Sequence, residues 1–219
     1  MAPPKLTVYI DIVSPFGYLA FHVINTSPIF KSCEVKYVPV LLGGIMKACN
    51  NTPPLRIKNK DKWVNKDRLR WAEKFNIPIS QKTPEGFPHN TVSPMRALSA
   101  LQLSSPEKLP AAITELYKAY WVDGQQIDQP DVYGGALEKA IGSEEAKKVV
   151  EAISDPDVKQ HLAKNTDEAL ASGAFGMPWI LATNAQGQTE GFWGFDHLGL
   201  VMDFLGLERG GGRETRSLL

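Results

Sequence analysis

The chain has only two cysteines among its 219 residues, and they cannot form the redox pair of a thiol–disulfide enzyme. Cys33 and Cys49 lie far apart in the sequence and make neither a closely spaced pair nor a zinc-binding pattern. We therefore expect both to be structural thiols. The four histidines have no i, i+4 partner and no cysteine or carboxylate at ligand spacing, so the sequence predicts no metal site.

The chain also carries no excess of positive or negative charge. The 24 Lys and Arg residues balance the 24 Asp and Glu residues, so no basic field would attract nucleic acid or an anionic membrane, and we expect neither partner. No apolar run approaches the roughly 20 residues of a membrane span. The amino terminus lacks a secretion signal, so we expect an intracellular protein. Neither terminus decides between mitochondrion, peroxisome and cytosol, since Ser217-Leu218-Leu219 lacks a basic middle residue and no Arg-rich presequence is present.

A hydrophobic content of 43% at this length indicates a globular chain with a substantial core. The periodicity of the apolar residues predicts the order strand, helix, strand, long helical block, strand, strand, helix. The predicted segments are strands at 7–12, 34–40, 179–183 and 189–193, helices at 14–26 and 195–205, a loop at 43–54 and a helical block over 65–172.

Removing the helical block leaves the order of a thioredoxin domain. The fold class is therefore predicted as α/β, with a thioredoxin-like domain split over residues 1–55 and 174–208 and an inserted all-helical domain at 56–173. The three consecutive glycines that follow suggest a flexible tail at 209–219.

The segment Ser14-Pro15-Phe16-Gly17 follows the first predicted strand, where a thioredoxin-type enzyme carries its two cysteines. A hydroxyl stands in the place of the nucleophilic thiol and a glycine in the place of the resolving thiol, so a thiol oxidase of the DsbA type is excluded. Ser14 favours the N-cap and Pro15 the first helical position, which directs the first backbone N–H groups at this site. Such a turn favours an anion, including a thiolate brought by another molecule.

Four motifs in order resemble the kappa class of glutathione S-transferases and the related 2-hydroxychromene-2-carboxylate isomerases, both of which have a DsbA-like fold. The motifs are DIVSPFGYL at 11–19, GIMK at 44–47 followed by NTPP at 51–54, GAFGMP at 173–178 and GFD at 194–196. The resemblance covers nearly the whole chain. It implies glutathione as co-substrate, a small electrophile as second substrate and a homodimer.

The resemblance implies that the Ser14 hydroxyl is catalytic and donates a hydrogen bond to the glutathione sulfur, favouring the thiolate. A free thiol with a pKa of about 8.5 is only a few per cent ionised at pH 7. Lowering that pKa by about two units requires roughly 2.7 kcal/mol, within reach of one charged hydrogen bond and a helix N-terminus. The alternative role for Ser14 is that of a simple N-cap.

The resemblance also assigns the cysteinyl part of glutathione to Met177 and Pro178. The backbone of Met177 pairs with it, and the Met177–Pro178 bond is expected to be cis, with a trans proline that opens a strand as the alternative. The γ-glutamyl end is expected at Phe195 and Asp196. Kappa enzymes often carry serine at the position of Phe195, so only its backbone N–H can serve, while the Asp196 carboxylate can bind the ammonium group or only cap the helix.

Asn51 and Lys60 match positions that contact the glycyl end of glutathione. A lysine suits the glycyl carboxylate, although Lys60 lies in a charged stretch that is ordinarily just solvated. Phe16 and Trp63 are candidates for the apolar wall of an acceptor site, with core packing as the alternative. The helical block is expected to form the lid that selects the electrophile.

Three functions are compatible with these motifs. The first is a transferase that ionises glutathione for attack on electrophiles or peroxides. The second is a glutathione-dependent cis–trans isomerase, which returns the glutathione that it uses. The third is a redox-inactive binding module, suggested by the missing cysteines and by Phe195 in the place of serine.

Overall fold

The computed structural model describes residues 2–208, and the predicted flexible tail at 209–219 lies outside them. Four strands form one sheet in the order β2-β1-β3-β4. The strands are β1 (Lys5–Ile10), β2 (Glu34–Pro39), β3 (Trp179–Thr183) and β4 (Thr189–Trp193). Strand β1 is parallel to β2 and antiparallel to β3, which pairs antiparallel with β4. This topology confirms the predicted DsbA-like thioredoxin fold.

Side chains alternate between the two faces of the sheet along each strand. Both faces of β1 are covered by buried side chains. Leu6, Val8 and Ile10 of β1 are fully buried in the main core. Tyr9 points to the opposite face, where it belongs to a smaller cluster with Met177 and six other buried residues. The turn after β1 and the turn before β3 therefore pack against core residues on both faces of the sheet.

Helices surround the sheet over most of the described chain. Their bounds are α1 (Pro15–Thr26), α2 (Leu42–Ala48), α3 (Lys60–Lys74), α4 (Val92–Ser104), α5 (Leu109–Tyr117), α6 (Pro130–Ile141), α7 (Ser143–Glu151), α8 (Pro156–Ala171) and α9 (Leu198–Leu205). Buried side chains of α4 and α5 share the main core with those of β1. The division into domains at 55/56 and 173/174 stays a prediction.

The predicted loop over 43–54 was wrong at its start, where helix α2 forms. Two glycines in this helix disfavour helix formation by about 1 kcal/mol each. Tertiary contacts override them: the backbone N–H of Leu42 donates to the Asp11 carboxylate at 2.8 Å, and Ile45 is completely buried. The predicted helix at 109–121 also changes form, because Lys118–Val122 is a π-helical turn.

The last predicted helix, at 195–205, consists of two pieces. Phe195–His197 forms a 3₁₀ turn, and α9 follows it and ends at Gly206 in the left-handed conformation. None of the helices within residues 2–208 is long and apolar enough to cross a membrane.

Two half-buried histidines make stability depend on pH. Burial lowers the pKa of His22 and of His161, so the unfolded chain binds more protons than the folded chain below about pH 6.5. The free energy of unfolding should therefore decrease as pH falls through this region. Urea denaturation at several pH values should show this decrease, and the double variant His22→Gln, His161→Gln should reduce its slope. An unchanged slope would contradict the assignment.

Candidate functional site

Ser14 is the N-cap of α1, and its hydroxyl oxygen accepts a hydrogen bond from the Gly17 backbone N–H at 3.0 Å. Because the oxygen acts as the acceptor, the hydroxyl hydrogen is left to donate. None of the hydrogen bonds among the described residues uses that hydrogen. The side chain is only 5% exposed, so a ligand atom that accepts this bond would be largely shielded from water.

Gly17 keeps the space beside Ser14 open. A Cβ atom at this position would lie 3.0 Å from the Tyr117 hydroxyl oxygen and 3.3 Å from the Ser14 hydroxyl oxygen. Tyr117 is completely buried and donates its hydroxyl to the Asp11 carbonyl oxygen at 3.3 Å. The glycine thus allows helix α5 to support the Ser14 turn directly.

The Met177–Pro178 peptide bond is cis, which confirms the predicted turn. Met177 is 7% exposed and packs in the smaller core cluster. The Pro178 carbonyl accepts a hydrogen bond from the Gly194 N–H at 3.1 Å. This bond holds the cis-proline turn against the segment that carries the other two predicted glutathione residues, Phe195 and Asp196.

The Phe195 side chain is not available to a ligand. It is 1% exposed and makes edge contacts with the rings of Trp71 and Phe75, each at 5.3 Å between centroids. Asp196 is exposed, and its carboxylate lies 3.3 Å from the Nδ1 atom of His197 without hydrogen-bond geometry. At this segment, therefore, the Asp196 carboxylate is accessible to a ligand, whereas the Phe195 ring is not.

Asp67 of α3 lies within electrostatic reach of Asp196, a proximity that the sequence reasoning missed. Burial raises the pKa of its carboxyl group, a hydrogen bond with Trp71 and the charge of Arg70 oppose that rise, and the nearby charge of Asp196 adds to it. The two carboxylates therefore lie close enough to feel each other. The only signal in the sequence was the position of Asp67 seven residues after Lys60, on the same face of the helix.

Asn51 and Lys60 have different surroundings. The side-chain amide of Asn51 donates to the Phe175 carbonyl at 2.8 Å, which connects the loop after α2 to the loop before the cis-proline. Cys49 makes a parallel contact, from its Sγ atom to the Ala174 carbonyl at 3.5 Å. Lys60 is exposed at the first position of α3.

The two candidates for an acceptor wall have different environments. Phe16 is half-buried against the main core, whereas Trp63 is 56% exposed with the Arg70 guanidinium 5.5 Å from its ring centre. Among the described residues, no aromatic ring contact links them. No group of three or more His, Cys, Asp or Glu side chains within residues 2–208 is arranged to hold a metal ion.

Comparison with known proteins agrees with this geometry. Residues 5–206 match the DSBA-like thioredoxin domain family. Glutathione S-transferase kappa 1 from Homo sapiens is 31% identical over 210 residues, which cover 93% of this chain and 92% of the human protein. The chain belongs to the kappa glutathione S-transferase branch of the DsbA-like thioredoxin family.

The kappa branch is close to a group with a different named activity. A 2-hydroxychromene-2-carboxylate isomerase from Sphingobium xenophagum is 25% identical over 200 residues, which cover 90% of this chain and 95% of the isomerase. A solved isomerase structure superposes with a TM-score of 0.76 at 20% identity, covering 92% of this chain and 94% of that structure. The cytosolic disulfide reductase DsbM from Pseudomonas aeruginosa, solved with GSH, superposes with a TM-score of 0.62 at 17% identity, covering 92% and 96%.

Proposed function

We propose that this kappa-class protein is a glutathione transferase that ionises the glutathione thiol at Ser14 and presents the thiolate to small electrophiles or peroxides. The observation that carries the proposal is the Ser14 hydroxyl, whose oxygen is held by the Gly17 N–H and whose hydrogen is left for a ligand. A hydrogen bond to a charged acceptor contributes about 1.5–3 kcal/mol, and the start of α1 adds to it. Together they support a thiol pKa about two units below the free value.

The charges along α3 support one orientation of glutathione. Lys60 and Asp67 are seven residues apart, which corresponds to about 10 Å along a helix. An extended tripeptide spans about the same length. We place the glycyl carboxylate near Lys60 and Asn51, and the γ-glutamyl ammonium between Asp67 and Asp196. The γ-glutamyl carboxylate then accepts from the Phe195 backbone N–H, and the Met177 backbone pairs with the cysteinyl residue.

The chemistry that follows depends on the second substrate. With an electrophilic carbon, the thiolate sulfur forms a bond to carbon while the leaving group departs with its electron pair. With a peroxide, the sulfur attacks one oxygen, the O–O bond breaks and an alcohol leaves with a proton from solvent, which gives glutathione sulfenic acid. A second glutathione then displaces water from that sulfur to form the disulfide. We propose that Phe16 and Trp63 contact the second substrate. We propose a homodimer from the resemblance to the kappa class, and an intracellular location in the mitochondrion, the peroxisome or the cytosol.

The second candidate function is a glutathione-dependent cis–trans isomerase. Two observations favour it. The chain is 25% identical to a 2-hydroxychromene-2-carboxylate isomerase in an alignment that covers 90% of the chain. The Trp193-Gly194 pair before the last turn also resembles the isomerase group. The thiolate would add to a conjugated carbon, allow bond rotation and leave again. Glutathione would not be consumed.

An ultraviolet titration of glutathione bound to the wild-type protein tests the proposed function. We expect the thiolate absorbance to appear with a midpoint about two pH units below the free value of about 8.5. S-methylglutathione, which has no thiol proton, is the matched blank. Consumption of one glutathione per molecule of conjugate, or of two per molecule of peroxide reduced, would then identify a transferase, and unchanged glutathione an isomerase. An unshifted midpoint or no saturable binding would contradict both and favour a binding module.

A further inference from the structure

A buried carboxylate without a cationic partner lies beneath the Ser14 turn. Asp11 is 1% exposed, and no salt bridge among the described residues involves it. Its carboxylate instead accepts three uncharged hydrogen bonds. They come from the Val13 N–H at 3.1 Å, the Leu42 N–H at 2.8 Å and the Thr91 hydroxyl at 2.7 Å.

The three donors belong to different parts of the fold. Val13 is in the Ser14 turn, Leu42 is the first residue of α2, and Thr91 directly precedes α4. One side chain therefore holds the turn to two helices. The Asp11 backbone contributes as well, because its carbonyl accepts from the Ser14 N–H at 3.0 Å and from the Tyr117 hydroxyl at 3.3 Å.

Holding a turn with a buried carboxylate is energetically unfavourable. A buried carboxylate loses its hydration, and burial raises the pKa of Asp11 while the three donors oppose that rise. Its charge would also oppose formation of a second negative charge on a nearby sulfur. A residue that is unfavourable in both respects needs a compensating role at the site.

We propose that Asp11 is a positioning residue that orients the Ser14 hydroxyl toward the glutathione sulfur by holding the backbone of residues 11–14. The inference rests on the proposed function, since it requires a thiolate at Ser14. Asp11 itself touches neither the sulfur nor the second substrate. It acts through the geometry of the turn.

Asp11→Asn provides a test in which two explanations predict opposite changes in the pKa of bound glutathione. The amide oxygen can still accept from Val13 and Thr91, but the amide nitrogen faces the Leu42 N–H, donor against donor, so the turn must shift. We expect the pKa of bound glutathione to rise by about one unit, equivalent to a roughly tenfold weaker preference for the thiolate. If Asp11 acted only through its charge, removing that charge would lower the thiol pKa.

The same substitution in a Ser14→Ala background shows whether the effect passes through Ser14. We expect Asp11→Asn not to raise the thiol pKa in the Ser14→Ala background, because the hydroxyl that Asp11 positions is absent and only the loss of the Asp11 charge, which lowers that pKa, remains. The remaining titratable groups that feel the Asp11 charge are Tyr117 and Tyr120, and burial raises the pKa of both above the assay range. Ser99→Ala is the matched control, since it removes a buried hydroxyl of α4 that bonds only to the Met95 carbonyl.

Thr91→Val provides a second route if Asp11→Asn fails to fold. It removes one donor and should raise the thiol pKa by a smaller amount. A thiol pKa that falls or stays unchanged in the variant that folds, while the wild-type value remains low, would overturn the positioning role and leave the proposed function intact. An equal rise in the Ser14→Ala background would also overturn it. A wild-type protein that does not lower the thiol pKa contradicts the proposed function itself, so the two failures are distinguishable.

Discussion

Replacement of Ser14 by alanine is expected to lower turnover with glutathione about three- to fourfold at pH 7 and not to lower it above about pH 9. Returning the thiol pKa from about 6.5 to about 8.5 reduces the thiolate fraction at pH 7 roughly 25-fold. The less acidic thiolate is intrinsically more nucleophilic, which recovers part of that loss. Above both pKa values the thiol is ionised in either protein, so the loss should vanish and the more basic thiolate of the variant should react at least as fast. A pH–rate profile of both proteins measures the effect.

The substitution also removes the cap of α1, so a control for lost stability is needed. Ser27 caps the 3₁₀ turn Pro28–Ser32 through a bond from the Ile29 N–H at 3.4 Å. Ser27→Ala should cost about 1 kcal/mol or less without altering the pH–rate profile. Equal activity of Ser14→Ala and wild type at pH 7 would contradict the role of the hydroxyl. So would a loss that is the same at every pH.

Replacement of Trp121 by alanine should give a large loss of stability, about 3–5 kcal/mol. Trp121 is completely buried in the π-helical turn, and its ring packs against Phe87 and Tyr120 and lies 5.6 Å from the Arg68 guanidinium. Its indole N–H also donates to the Ile12 carbonyl at 2.9 Å, within the segment that carries Ser14. Alanine would leave a cavity, an unpaired buried carbonyl and a buried guanidinium without its aromatic neighbour.

Trp121→Phe separates these contributions. It keeps most of the ring and removes the hydrogen bond, so a loss of about 1–3 kcal/mol is expected. Trp63→Ala is the exposed control and should change stability by about 0.5 kcal/mol or less. Urea denaturation measures all three variants. A loss below 1 kcal/mol for Trp121→Ala would show that the π-helical turn does not support the core.

Sequence periodicity located all four strands, although β1 runs from Lys5 to Ile10 and not over 7–12. It was insufficient for α2, where two glycines indicate a loop and the distant residues Asp11 and Thr166 hold the helix start. The π-helical turn was missed for a similar reason. Its sequence is ordinary, and the turn is identified by the backbone bond from the Asp123 N–H to the Lys118 carbonyl at 2.9 Å.

Some features of the candidate site were predictable from the sequence, and others were not. The local features of Ser14 as an N-cap and of the cis bond before Pro178 were predictable from short motifs. The Phe195 side chain turned out to be part of the core, which agrees with the expectation that only its backbone can serve. Asp67 was not predicted, because its proximity to Asp196 arises from packing between α3 and a segment far along the chain.

The close approach of Tyr117 to Gly17 has a further consequence for dithiol chemistry at this turn. A cysteine at position 17 would place its Cβ 3.0 Å from the Tyr117 hydroxyl oxygen, which would have to shift by a few tenths of an ångström and weaken its bond to the Asp11 carbonyl. Dithiol chemistry at this turn would therefore require the Tyr117 side chain to adjust, besides cysteines at positions 14 and 17. Each single substitution would disturb the site without forming a redox couple, so a dithiol site cannot be introduced here one step at a time.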